Sequence, residues 1–314
     1  MTQSTAELNG LLAFPFTPFT DDLELNLDAF ADHVEFHVAA GAGALFVGCG
    51  TGEFSSLAPD ELNALVRKAL DVAGGRVPVW AGAGGGAATA RAGVAAAAAA
   101  GADGVLLLPP YLVTGPPAGL VAHVRYAAGG TGVPLIVYHR ATSVLTEESA
   151  VSLLSVPSVT GIKDGHGDIE RMSRIVTAVR AAGGRGRDCL FFNGLPTAEM
   201  SARAYAAIGV ERYSSAVHGC VPEIAQRFHR ALSEGDGSTM DTLLNGFYLP
   251  LVALRDETPG FAVSLVKAAA RLRGQKVGPV RPPLAEPTGG QLRRLERIID
   301  HGLAVLAGLE AGGR

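Results

Sequence analysis

Charged side chains are scarce in this chain. They make up 18% of its 314 residues and sum to a formal net charge of −4. So weakly acidic a surface gives no electrostatic grip on nucleic acid or on an anionic membrane. Cysteine is scarce too: Cys49, Cys189 and Cys220 are odd in number and widely spaced, with no CxxC pair. That excludes a disulfide framework and a cysteine metal centre, and the three read as small buried hydrophobes. No apolar run is long enough to span a bilayer without Gly, Pro or charge, and the first ten residues lack the basic start and apolar core of a secretory signal. The chain therefore reads as a soluble, cytoplasmic protein with no membrane and no nucleic-acid partner, and small-molecule chemistry is favoured.

Hydrophobic residues reach 48%, enough for a large core, and 41 glycines suggest many tight turns. Short apolar runs alternate with longer helical patterns, the mark of parallel βα units. Eight strands are predicted, at residues 11–16, 44–49, 77–81, 105–108, 135–138, 160–163, 190–193 and 212–216. Helix starts follow them at Pro59-Asp60-Glu61, at Thr146-Glu147-Glu148 and at Asp168. A weak repeat, Ala40-Gly41-Ala42-Gly43 and Ala100-Gly101-Ala102-Asp103, closes a helix and enters the next strand. Eight such units predict a (β/α)8 TIM barrel over residues 1–220. Residues 222–232, 239–253, 261–273 and 291–306 read as helices without further strands, so 221–314 form a C-terminal helical extension. A Pro/Gly-rich loop covers 278–290.

Strand ends at the C-terminal face of a barrel build its active site. Lys163 ends an apolar strand and points inward there, where desolvation lowers an amine's pKa and makes it nucleophilic. An ion pair with Asp164 is the structural alternative. Tyr138 ends the neighbouring strand and would place a phenol beside the amine for proton transfer, or would be a core tyrosine with its hydroxyl at the rim. Gly50 and Thr51, in Gly48-Cys49-Gly50-Thr51-Gly52-Glu53, offer backbone N–H groups and a hydroxyl to a carboxylate, unless the segment is a plain turn. Arg140 suits a second carboxylate, although a loop arginine is also a common surface charge. Asn193, Gly194, Ser214 and Ser215 complete the candidate substrate-binding set.

Two other patterns mislead. Gly82 to Ala87 fits GxGxxA after a strand, but Asp103 precedes the next strand instead of ending it, so the segment does not read as a dinucleotide site. Asp164, His166 and Asp168 alternate with glycines and read as a turn with Asp168 as a helix cap, not as metal ligands.

Together these residues resemble the dihydrodipicolinate synthase and N-acetylneuraminate lyase superfamily, and within it the 5-dehydro-4-deoxyglucarate dehydratase branch. The resemblance runs from about residue 11 to 284. It rests on Phe14-Pro15-Phe16-Thr17-Pro18-Phe19, the GTGE at 50–53, Leu108-Pro109-Pro110-Tyr111, Tyr138, Gly161-Ile162-Lys163-Asp164-Gly165, Gly194-Leu195-Pro196-Thr197-Ala198-Glu199, Tyr213-Ser214-Ser215-Ala216-Val217 and the segment 278–284. It implies that Lys163 forms a Schiff base with a keto acid, that Tyr138 assists proton transfer, and that Thr51 holds the keto acid's carboxylate. Gly50 and Leu112 stand where the synthases carry a threonine and an interface tyrosine, which speaks against synthase activity. His139 departs from the asparagine usual after the strand-five tyrosine; it either rebuilds a polar contact or is a buried, satisfied histidine.

The implied reaction is decarboxylating dehydration of 5-dehydro-4-deoxyglucarate, with no metal or organic cofactor. The implied partner is a dicarboxylate keto acid, in a homo-oligomer, tetramer or dimer. A class I aldolase, a non-catalytic sugar-acid-binding relative and a nicotinamide enzyme are the rival readings.

Overall fold

A computed structural model describes residues 8–312. Eight parallel strands close into a barrel in sequence order, each paired with its neighbours and the eighth with the first. They are β1 (Leu12–Ala13), β2 (Ala44–Val47), β3 (Val79–Gly85), β4 (Gly104–Pro110), β5 (Leu135–His139), β6 (Val159–Asp164), β7 (Leu190–Asn193) and β8 (Arg212–Ser215). All eight predicted strands are present, β1 being the most shortened. Helices α1 (Leu27–Ala39), α2 (Pro59–Ala73), α3 (Ala87–Ala100), α4 (Pro117–Ala128), α5 (Glu147–Leu153), α6 (Ile169–Ala181) and α7 (Ala202–Ala207) connect them. The start signals act as expected: Pro59 opens α2, Thr146 accepts from the Ser149 amide, and Asp168 accepts from Arg171.

Strand alternation sorts the side chains into two layers. Facing into the barrel, Phe14, Phe46, Trp80, Leu106, Ile136 and Phe192 form one apolar cluster. Phe14 stacks on Phe46 with centroids 4.8 Å apart. Facing outward, Leu45, Val47, Val105, Leu107, Leu135, Val137 and Ile162 pack against the helices. Burying each such side chain contributes about 1.5–3 kcal/mol, so both layers add to the stability of the barrel that carries the site.

Two glycines of the dinucleotide-like segment, Gly82 and Gly84, serve this packing. Gly82 lies inside β3, and a Cβ there would sit 2.2 Å from the Gly48 carbonyl oxygen. They let strands approach instead of cradling a phosphate, while Asp103 accepts from the Val79 amide.

After β8 come α8 (Pro222–Glu234), α9 (Gly237–Leu243), α10 (Leu249–Arg255), α11 (Phe261–Leu272) and α12 (Gly289–Gly312). The helix predicted at 239–253 is continuous but widens into a π-turn over Leu244–Tyr248. Pro250 has no N–H to return to the Gly246 carbonyl, which favours the wider turn. These helices share a third apolar cluster with Tyr213 and Val217 of the barrel, so α10 and α11 are packed beside the barrel's C-terminal mouth.

Two buried polar clusters brace the fold. Lys267 of α11 pairs with Glu53 at 2.7 Å and also donates to the Thr17 carbonyl, both charged side chains being fully buried. The Arg281 amide donates to the other Glu53 oxygen, while the Arg281 guanidinium binds Glu61. Elsewhere, His33 and His37 of α1 and His218 after β8 form a buried chain, with ring nitrogens 3.2 Å and 2.8 Å apart. Among the described residues no helix is long and apolar enough to cross a membrane, and the three cysteines are free and buried.

Candidate active site

A cavity of about 360 Å³ opens at the C-terminal face of the barrel. Lys163 lines it from the end of β6 and is only 4% exposed. Its amine sits against aromatic faces, 3.9 Å from the centroid of Phe14, 4.5 Å from Tyr138 and 5.2 Å from Phe192. No carboxylate lies within ion-pair distance of it among the described residues. Burial pushes the Lys163 pKa down to about 7, helped by the Arg140 charge and opposed by Cys49.

The alternative of a pair with Asp164 fails on strand parity. Lys163 points in, so Asp164 points out, where it accepts from the His166 and Gly167 amides and from the Tyr205 hydroxyl.

Tyr138 is directly opposite Lys163 in the β5–β6 register. Its phenol donates to the Gly194 carbonyl at 2.9 Å and accepts from Arg140 Nη1 at 3.0 Å. Burial raises its pKa, so the phenol stays protonated and able to donate, with the Arg140 charge opposing the shift.

Two glycines make this arrangement possible. A Cβ on Gly194 would lie 2.0 Å from Lys163 Cε, and one on Gly165 would lie 2.7 Å from Tyr138 Cε2. Each vacates space that a reactive side chain fills.

Gly50 and Thr51 line the opposite wall. A Cβ at Gly50 would meet nothing within 4 Å among the described residues, so glycine there widens the mouth. The loop is pinned two residues on, where Glu53 takes a left-handed φ of 57° and is held by Lys267. Thr17 also donates its hydroxyl to the Gly52 carbonyl at 2.7 Å.

Lys163, Tyr138, Gly50, Thr51, Arg140, Gly194 and Ser214 thus meet around one cavity. Asn193 and Ser215 do not. Inward Phe192 and Ser214 force their neighbours outward, behind the wall. Asn193 there donates to the Ala198 carbonyl and Ser201, and Ser215 donates to Glu199. Both shape loops instead of facing a ligand. His139 is likewise turned away, 1% exposed, with Nδ1 accepting from the Leu145 amide at 2.9 Å. Burial brings its pKa to about 4, with Asp164 opposing, so it is a neutral wall residue. Leu112 stands on the surface, 79% exposed and with a φ of 58°.

Sequence reasoning missed the outer wall, where Leu251, Arg255 and Val266 from α10 and α11 line the same cavity. Only the packing of the late helices brings them there. Among the described residues, no group of three or more His, Cys, Asp or Glu could hold a metal ion.

The dihydrodipicolinate synthetase family model matches residues 7–302. The chain belongs to that family. It is 50% identical over 306 residues to a Streptomyces coelicolor protein named as a probable 5-dehydro-4-deoxyglucarate dehydratase, covering 98% of this chain and 96% of the relative. A Rhizobium meliloti protein of the same name is 41% identical over 293 residues, covering 93% and 95%. Among solved structures, dihydrodipicolinate synthase from Oceanobacillus iheyensis superposes with a TM-score of 0.84 at 24% identity, covering 92% of this chain and 95% of that one. N-acetylneuraminate lyase from Mycoplasma synoviae gives 0.80 at 19% identity, covering 94% and 98%. At such identities the two structures speak for the (β/α)8 fold alone.

Proposed function

We propose that this family member is a decarboxylating dehydratase that converts 5-dehydro-4-deoxyglucarate to 2,5-dioxopentanoate, CO2 and water through a Schiff base on Lys163. One observation carries the reading: a buried amine with no carboxylate partner among the described residues, held near neutrality and facing the cavity. The substrate follows from the name that the relatives at 41–50% identity share.

The neutral Lys163 amine adds to the C5 ketone, and loss of water leaves an iminium that draws electrons from C4. Tyr138 relays protons as carbinolamine becomes imine, and Arg140 keeps its phenol in place. Removal of a C4 proton and departure of the C3 hydroxyl as water give an iminium conjugated to C3. The C1–C2 bond then breaks, its electron pair passing along the chain to the nitrogen, and CO2 leaves. Protonation of the resulting dienamine and hydrolysis release 2,5-dioxopentanoate and free the lysine. Thr51, with the Gly50 backbone, receives the carboxylate beside the ketone, while Ser214 and Gly194 border the hydroxyl-bearing carbons.

On the same reading the enzyme works in the cytoplasm, where thiols stay reduced. It works as a homo-oligomer, dimer or tetramer; exposed Tyr111, Leu112 and Val113, each above 60% accessible, support an interface.

The test is turnover of 5-dehydro-4-deoxyglucarate with one CO2 and one 2,5-dioxopentanoate formed per acid consumed. No turnover of this acid, with condensation of pyruvate and an aldehyde instead, would replace the dehydratase reading with the aldolase one.

A further inference from the structure

The outer wall of the cavity carries a cation that no barrel strand supplies. Arg255 ends α10, lines the cavity and keeps its side chain 19% exposed. Its Nη1 donates to the Pro196 carbonyl at 3.0 Å and to Thr197 Oγ1 at 2.9 Å, in the loop after β7. Nε donates to Asp256 at 2.8 Å, a carboxylate that is 61% exposed and so largely screened by water. Nη2 has no hydrogen-bond partner among the described residues. The guanidinium is therefore fixed on one side and keeps a donor in reserve on the other.

The charge balance of the cavity is one-sided. Among the described residues its lining includes Arg140, Lys163 and Arg255 and no Asp or Glu, in a chain whose net charge is −4. Such a pocket selects anions. A keto acid with carboxylates at both ends and its ketone at Lys163 needs an anion site on either side of the amine. The Gly50–Thr51 loop after β2 offers one. Arg140 is engaged beside the amine, on the Tyr138 phenol. Arg255 stands at the outer wall, with the β7 loop.

We propose that Arg255 holds the carboxylate remote from the ketone. It is the specificity-determining residue that makes the late helices, and not the barrel, select dicarboxylates over keto acids with an uncharged far end. The inference rests on the keto-acid reading above and names the recognition element of that site. The remote carboxylate leaves as CO2, which no longer pairs with a guanidinium, so the contact serves capture more than bond breaking. Its loss raises KM more than it lowers kcat.

The experiment compares 2-oxoadipate with 2-oxohexanoate, six-carbon 2-keto acids that differ only in the far carboxylate and carry no hydroxyl to eliminate. Calorimetric binding is measured on the full chain as wild type, R255Q and R255K. Wild type should prefer 2-oxoadipate. R255Q should weaken 2-oxoadipate by about ten- to a hundred-fold, the usual scale for a lost charge-assisted hydrogen bond, and leave 2-oxohexanoate nearly unchanged. R255K should restore part of the preference.

Equal weakening of both acids would overturn the assignment, because it would mean that Arg255 only supports the Thr197 loop. So would a wild type that binds 2-oxoadipate no better than 2-oxohexanoate. Borohydride treatment of the wild-type complexes is a separate arm: no adduct on Lys163 refutes the Schiff base, while the selectivity ratio still judges Arg255.

Discussion

Gly194→Ala is the smallest change that should disable the site. The added Cβ would lie 2.0 Å from Lys163 Cε, 2.6 Å from its Cγ and 2.8 Å from the Asp164 carbonyl oxygen, whereas ordinary contact begins at 3.4 Å. The backbone at 194 lies outside the left-handed region, so the cost is steric and local. Restoring contact requires the lysine's end to retreat by about 1.4 Å, the difference between the two distances, or the β7 strand end to shift away from β6. Free retreat is blocked by the Phe14 and Phe192 rings around the amine. Overpacking of this kind costs about 1–3 kcal/mol, and a misplacement of about 1 Å at a reacting group costs roughly a hundred-fold in rate. G194A should therefore melt a few degrees below wild type and lose about two orders of magnitude in kcat. The assay is steady-state turnover beside a calorimetric melt. A variant with kcat within three-fold of wild type would refute the claim that this glycine exists to seat the lysine.

Three further outcomes follow from the same geometry. Because burial brings Lys163 to about 7, the reactive neutral amine is lost below that pH. The rate of imine formation should rise about ten-fold per pH unit up to about 7 and then level off, and a profile still rising at pH 9 would contradict it. Lys267→Met strands the buried Glu53 carboxylate, so it should cost about 3–5 kcal/mol in a denaturant titration and raise KM through the neighbouring Thr51 loop; wild-type stability would count against that pair. Burial lowers His33 and His218 from 6.5 to about 4 and His37 well below its ordinary value. Facing this chain are Gln275, Gln226, Lys267 and His229. Depressed values mean that the unfolded chain takes up protons first, so stability is complete above about pH 6.5 and falls as the pH drops toward 4. The expected loss is about 2 kcal/mol for each of His33 and His218 by pH 5, and a melting temperature flat from pH 7 to 5 would contradict it.

Much of the barrel was readable because parallel strands buried on both faces are short apolar runs with glycine at their ends. Lys163 and Tyr138 were readable for a related reason: polar residues at the end of such runs have only the barrel mouth to face. Asn193 and Ser215 were misplaced although the signal was present. If Lys163 is inward then Asp164 is outward, and the same alternation sends Phe192 and Ser214 in and their neighbours out. Register between strands, not residue type, decides which of two adjacent polar residues meets the cavity. Arg255 carried no local signal. It ends a helix like many surface arginines, and only the burial of α10 and α11 against the barrel turns it toward the mouth.

The Schiff base is tested most directly by mass spectrometry of the protein after borohydride reduction with 5-dehydro-4-deoxyglucarate or 2-oxoadipate. One modified site is expected, on the peptide containing Lys163 and absent from Lys163→Met, with the mass of the reduced keto acid for 2-oxoadipate and of a reduced substrate, dehydrated or product imine for 5-dehydro-4-deoxyglucarate. An unmodified Lys163 at saturating acid, or an adduct on Lys267 instead, would contradict it.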